Sequence, residues 1–90
     1  MLFRSKLNKF CDITEKLPIK QDAKLLSGIF TNDFTYDINP NRKYYLYVIS
    51  GELIVNNNNL IEGDGLSFIE ENKIQIIPLS EPEIILFDLE

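Results

Sequence analysis

A chain without a single histidine lacks the commonest general base near neutral pH and the commonest transition-metal ligand. Chemistry in these 90 residues therefore falls to carboxylates, hydroxyls and one thiol. Asp33, Asp37, Asp64, Glu70 and Glu71 all sit in or beside stretches that read as turns, where acidic residues are ordinary. A glycosidase-like pair needs two acids facing each other across a cleft, and nothing in the sequence places any two of these so. Ser27, Ser50, Ser67 and Ser80 have no base to activate them, which excludes triad-type nucleophilic catalysis. Gly63-Asp64-Gly65 lacks the Lys-Ser/Thr and the following helix that a phosphate loop requires. Cys11 is the only cysteine, so no disulfide can close within the chain. No histidine or clustered cation sits near it in sequence, and it reads as a small apolar residue near the domain edge. Tyr44, Tyr45 and Tyr47 could stack on a planar ligand, or could pack in a core and an interface.

Charge narrows the partners. The formal net charge is −5, with nine Lys and Arg against 14 Asp and Glu, and a phosphate backbone needs a cationic surface to neutralise it. Nucleic acid and anionic membrane are thus poor partners. No apolar run reaches the ~18 residues that span a bilayer, and no signal-peptide stretch follows Met1. With one unpaired cysteine, these features lead us to expect a cytoplasmic protein. The length allows one domain, and a chain this short buries only about 60–65% of the surface it exposes when unfolded. A partner subunit would add burial, so self-association is expected.

The elements that would position these residues are strands. Residues 1–16 carry only a weak helical spacing of Leu2, Phe3, Leu7 and Phe10 ahead of Pro18, and are expected as an extended arm or edge segment. Beyond them, short β-branched and aromatic runs alternate with Gly, Asn, Asp and Pro. The pattern predicts strands over 19–21, 24–30, 34–38, 43–49, 52–55, 66–69, 73–77 and 83–89, with Leu60-Ile61 returning from a hairpin. Its tip is Asn56-Asn57-Asn58-Asn59, since Asn tolerates the left-handed backbone of tight hairpins. Gly63-Asp64-Gly65 marks a second sharp turn, and Pro78 closes a strand. This is the grammar of an all-β sandwich or barrel over residues 17–90.

One strand is apolar on both faces. Tyr44, Leu46 and Val48 share one side of 43–49, and Tyr45, Tyr47 and Ile49 share the other. The last strand repeats this, with Ile84 and Leu86 opposed to Ile85, Phe87 and Leu89. A half-exposed antiparallel sheet should show one polar face, so the outer face is expected to be covered as well. Either a partner surface covers Tyr45, Tyr47, Ile49, Ile85 and Phe87, or the N-terminal arm or a loop does.

Taken in order, these residues suggest a family. Ile19-Lys20-Gln21-Asp22-Ala23, Pro40-Asn41-Arg42 leading into Tyr45-Leu46-Tyr47-Val48-Ile49-Ser50-Gly51, Asp64-Gly65-Leu66-Ser67-Phe68, and Ile84-Ile85-Leu86-Phe87-Asp88-Leu89 together resemble the C-terminal cupin half of pirin-like proteins. Bacterial members of that family include proteins described as quercetin 2,3-dioxygenases. The resemblance covers residues 17–90 and implies a jelly-roll β-sandwich. It also implies a second, N-terminal cupin half that carries the metal, which this chain does not contain.

The general cupin pattern places two His and a Glu ahead of the Gly that ends a strand. With Gly51 as that Gly, Tyr44 takes the Glu position, and Asp37 and Asn39 fall near the two His positions. With Gly63 opening the second motif, Ile69 stands at its usual Pro, Glu71 at its usual Gly and Ile74 at its final His. No ligand position holds His or Glu, and a transition metal wants imidazoles and a carboxylate converging from several strands. Tyr44 and Ile74 would instead make an apolar, aromatic pocket. The expectation is a metal-free, cofactor-free, non-catalytic cupin module that forms a homodimer. Its alternatives are the accessory half of a split dioxygenase, paired with a separate pirin-like N-terminal cupin, or a binder of planar ligands near Tyr44 and Ile74.

Overall fold

The computed structural model describes residues 6–14 and 23–89, and among these no α-helix forms. Ten strands do: β1 (Lys6–Leu7), β2 (Cys11–Asp12), β3 (Ala23–Ile29), β4 (Phe34–Asp37), β5 (Lys43–Ser50), β6 (Glu52–Val55), β7 (Asn58–Ile61), β8 (Gly65–Phe68), β9 (Lys73–Pro78) and β10 (Glu83–Leu89). They build two sheets, one ordered β1-β3-β10-β5-β8 with β2 also on β3, the other β4-β9-β6-β7. The pairings are antiparallel except for β1 on β3. The expected all-β jelly-roll sandwich is what the chain forms.

Register explains the core. Leu66, Leu46, Leu86 and Leu26 lie in one row across the six-stranded sheet, and Val48, Ile84 and Gly28 in the next. These side chains face the other sheet, where Leu53, Val55, Leu60, Ile74 and Ile76 alternate inward along β6, β7 and β9. Period-two alternation thus delivers one apolar face from each sheet to a shared interior. Phe30 and Ile38, expected to end strands, instead follow β3 and β4 and still drop their side chains into this core.

The turns follow from backbone chemistry. Asn56 and Asn57 adopt φ 46° and 69°, the two left-handed positions of a two-residue hairpin, so the tip is two asparagines and Asn58 already belongs to β7. Asn56 also clips the hairpin to β9, since its Oδ1 accepts from the Gln75 amide at 2.7 Å and its Nδ2 donates to the Lys73 carbonyl at 3.1 Å. Gly51 (φ 86°) lets β5 turn into β6 where a Cβ would sit 2.6 Å from Pro82 Cα.

The N-terminal segment, expected as an arm or edge, pairs along the free side of β3. Lys6 and Leu7 run parallel to Gly28 and Ile29, then Asn8 (φ 58°) reverses the chain so that Cys11 and Asp12 run antiparallel to Ser27 and Leu26. Phe10 enters the core between Phe30, Phe34 and Tyr36, at ring-centroid distances of 5.3, 6.0 and 4.9 Å. The strand expected over 19–21 and the boundary between residues 16 and 17 lie outside the described residues.

Candidate functional site

Three places could carry function: the interior position of a cupin metal, a cleft at one end of the six-stranded sheet, and that sheet's outer face. At the first, Ile74 is fully buried and Tyr44 nearly so, both within the hydrophobic core. The Tyr44 hydroxyl accepts a hydrogen bond from the Asn39 amide at 3.1 Å. Asn39 turns its own Oδ1 to the Asn41 amide at 2.9 Å, and Asp37 is exposed at the end of β4, opposite Lys73. Among the described residues, no three His, Cys, Asp or Glu side chains come together. An isoleucine, a tied-up phenol, a turn-bound amide and a surface carboxylate do not fit a transition-metal ion.

Polar groups do gather at this end of the core, for a structural reason. Asp88 continues the inward-facing series Ile84, Leu86 on β10, and a carboxylate placed there needs a cation. Arg42 supplies it, with Nε 2.5 Å from Oδ1 and Nη2 3.5 Å from the Asp88 carbonyl. Tyr36 lies near enough that burial first, then the neighbouring Tyr44 and Asp88, push its phenol pKa above the usual value. With 46 positions between them, Arg42 and Asp88 carry no local mark of this ion pair in the sequence beyond an Asp at the inward phase of an apolar strand.

The cleft has a volume of about 590 Å³ and is lined on its apolar side by Tyr44, Tyr45, Phe68, Ile69 and Leu89. Lys43 and Glu70 stand at its polar side. Tyr44 therefore belongs to the cleft wall, while Ile74, expected beside it, is not among the lining residues. The cleft offers apolar contact and three charged residues, Lys43, Glu70 and the Arg42 already paired with Asp88.

The outer face gathers the residues expected as an interface. Register sets Tyr45 beside Phe87 and Leu25 in one row, and Tyr47 beside Ile85 and Ser27 in the next. Tyr45 and Phe87 rings lie 6.2 Å apart. Tyr45 also leans across Gly65, where a Cβ would overlap its hydroxyl. Ile49, Ile85 and Phe87 are half-buried, whereas Tyr45 and Tyr47 remain 40% and 39% exposed and Leu89 39%. The described part of the N-terminal segment packs on β3, across β10 from these tyrosines, and leaves them open. The opposite sheet carries a smaller exposed group that the sequence reading passed over, with Ile61 and Ile77 on the strands and Leu79 just beyond. No helix among the described residues is long and apolar enough to cross a membrane.

Comparison with known proteins places this geometry. Residues 12–89 match the quercetinase C-terminal cupin domain. A candidate quercetin 2,3-dioxygenase of Pasteurella multocida is 40% identical over 55 residues, covering 61% of this chain and 24% of that protein. The Escherichia coli protein YhhW superposes with a TM-score of 0.75 at 27% identity over 80% of this chain and 32% of its own. Its nickel(II) complex, described as a bacterial pirin, gives 0.75 at 26% identity over 86% and 34%. The chain thus spans about a quarter to a third of the relatives it matches. A cupin domain from an Enterobacter cloacae transcriptional regulator shares the fold alone, with a TM-score of 0.70 at 15% identity over 91% of this chain and 95% of that one.

Proposed function

The chain belongs to the quercetinase C-terminal cupin domain family, and from that premise we propose that it is a binding and structural module, without catalysis, metal or cofactor of its own, that docks a second copy of itself. One observation carries this reading. The outer face of β5 and β10 is apolar yet two-fifths open at Tyr45 and Tyr47, while the interior where a cupin metal would sit is filled by Ile74 and Tyr44. An open apolar face beside a filled interior favours docking over chemistry. In this picture the face holding Tyr45, Tyr47, Ile49, Ile85 and Phe87 is the interface, and the protein works in the cytoplasm. Neither nucleic acid nor membrane takes part, in keeping with the acidic balance of the chain.

Size-exclusion chromatography with light scattering tests the association, and a dimer is expected at micromolar concentration. A stable monomer there would sink the reading. Elemental analysis of the purified chain tests the rest, with substoichiometric iron, nickel and copper expected. Firmly held stoichiometric metal would overturn the metal-free part.

A second reading rests on the matched lengths. Because the chain corresponds to a quarter of one candidate dioxygenase and a third of one pirin, the same face could instead receive a separate, histidine-bearing cupin half. Mixing with such a half would then produce quercetin oxidation that neither part has alone. Failure to co-purify with it would remove this reading.

A further inference from the structure

Resting on the self-association reading, we infer where the second copy sits: Ile69 of each copy enters the cleft of the other, with Lys43 of one facing Glu70 of its mate. Area sets the first constraint. Three strands of seven or eight residues and one of four, about 4.8 Å apart and rising ~3.3 Å per residue, present roughly 410 Å² of flat face. Stable interfaces take about 800 Å² from each partner, so the sheet alone supplies roughly half. The remainder must come from surface continuous with it, and the cleft is continuous through Tyr45 and Leu89, which belong to both.

The cleft margin is self-complementary. Ile69, just past the end of β8, is 79% exposed, the most open large apolar side chain among the described residues. It stands at the lip of an apolar hollow walled by Tyr44, Tyr45 and Phe68. The chain leaves it through Glu70 at φ 56°, a left-handed conformation that a glutamate rarely adopts. The same margin carries a cation, Lys43, and an anion, Glu70, both exposed and neither in an ion pair among the described residues. A two-fold contact buries one patch against itself, so that patch must hold both the projection and the hollow, and both signs of charge. A different partner would need only one of each.

Light scattering and analytical ultracentrifugation on the 90-residue chain and five variants decide the point. Ile69 lies outside the core, so Ile69→Asp leaves the fold intact by circular dichroism. Because symmetry changes the contact twice, it raises the dimer dissociation constant by about 100-fold or more. Lys43→Glu and Glu70→Lys each weaken the dimer by about 5-fold or more, and combining them restores it to within about 3-fold of wild type. Ile77→Asp, on the outer face of the other sheet, leaves it unchanged. A monomeric wild type overturns the self-association reading itself. A dimer that survives Ile69→Asp, or shows no rescue in the charge swap, or breaks with Ile77→Asp, overturns this inference alone, because the copies then meet elsewhere.

Discussion

At the scale of single residues, two buried polar groups mark where this small fold is under tension. Asp88 is tolerated only because Arg42 reaches it, and the two side chains are 11% and 22% exposed. Arg42→Met, which leaves the carboxylate behind, is expected to cost about 2–3 kcal/mol in urea unfolding, while Arg42→Met with Asp88→Leu recovers most of it. If the double variant is as weak as the single one, the pair contributes more than mutual neutralisation. Ser27 is the converse case. It is fully buried opposite Cys11, and its hydroxyl finds no hydrogen-bond partner among the described residues. Ser27→Ala is therefore expected to raise stability by about 1 kcal/mol, and a loss would reveal a partner for that hydroxyl.

At the scale of elements, the hairpin β6–β7 and the strand β2 each depend on one local device. Asn57 holds φ 69° at the hairpin tip, so Asn57→Gly removes a steric cost and is expected to raise the unfolding midpoint by the equivalent of about 0.5 kcal/mol. The pairing of β2 with β3 leans on Asp12, whose carboxylate accepts from the Thr14 amide at 2.8 Å and from the Thr14 hydroxyl. That hydroxyl in turn accepts from the Leu25 amide at 3.1 Å. The Thr14 bonds hold the Asp12 pKa below its usual 3.8. A depressed carboxylate stabilises the fold above the unfolded-state pKa and loses that contribution as pH falls through the folded value. The difference in urea midpoint between wild type and Asp12→Asn should thus be present at pH 6 and close below pH 3.8. A difference that persists into stronger acid would show that charge is not its source.

For the molecule as a whole, the main question is what rests on the six-stranded sheet. Ninety residues give a thin core, and an apolar outer face adds to the surface that must be hidden. If a second copy hides it, association stabilises the native state by mass action, and the melting temperature must climb with protein concentration. Differential scanning fluorimetry between about 1 and 100 μM is expected to show that climb, and a flat response would argue for a monomer.

The sequence by itself determined where most strands and turns fall along the chain, which residues share a face and that no histidine is present, because each depends on local rules. Alternation sorts faces, Asn and Gly permit left-handed turns, and a missing imidazole is missing in any fold. Tertiary structure alone decided the rest. It set Tyr44 in a cleft wall, brought Arg42 to Asp88 across 46 positions, threaded Phe10 into the core and left Ile69 standing at the lip of a cleft. Those outcomes hang on which distant strands become neighbours, and pairing between sheets is settled by the packing of the whole interior rather than by any one stretch of chain.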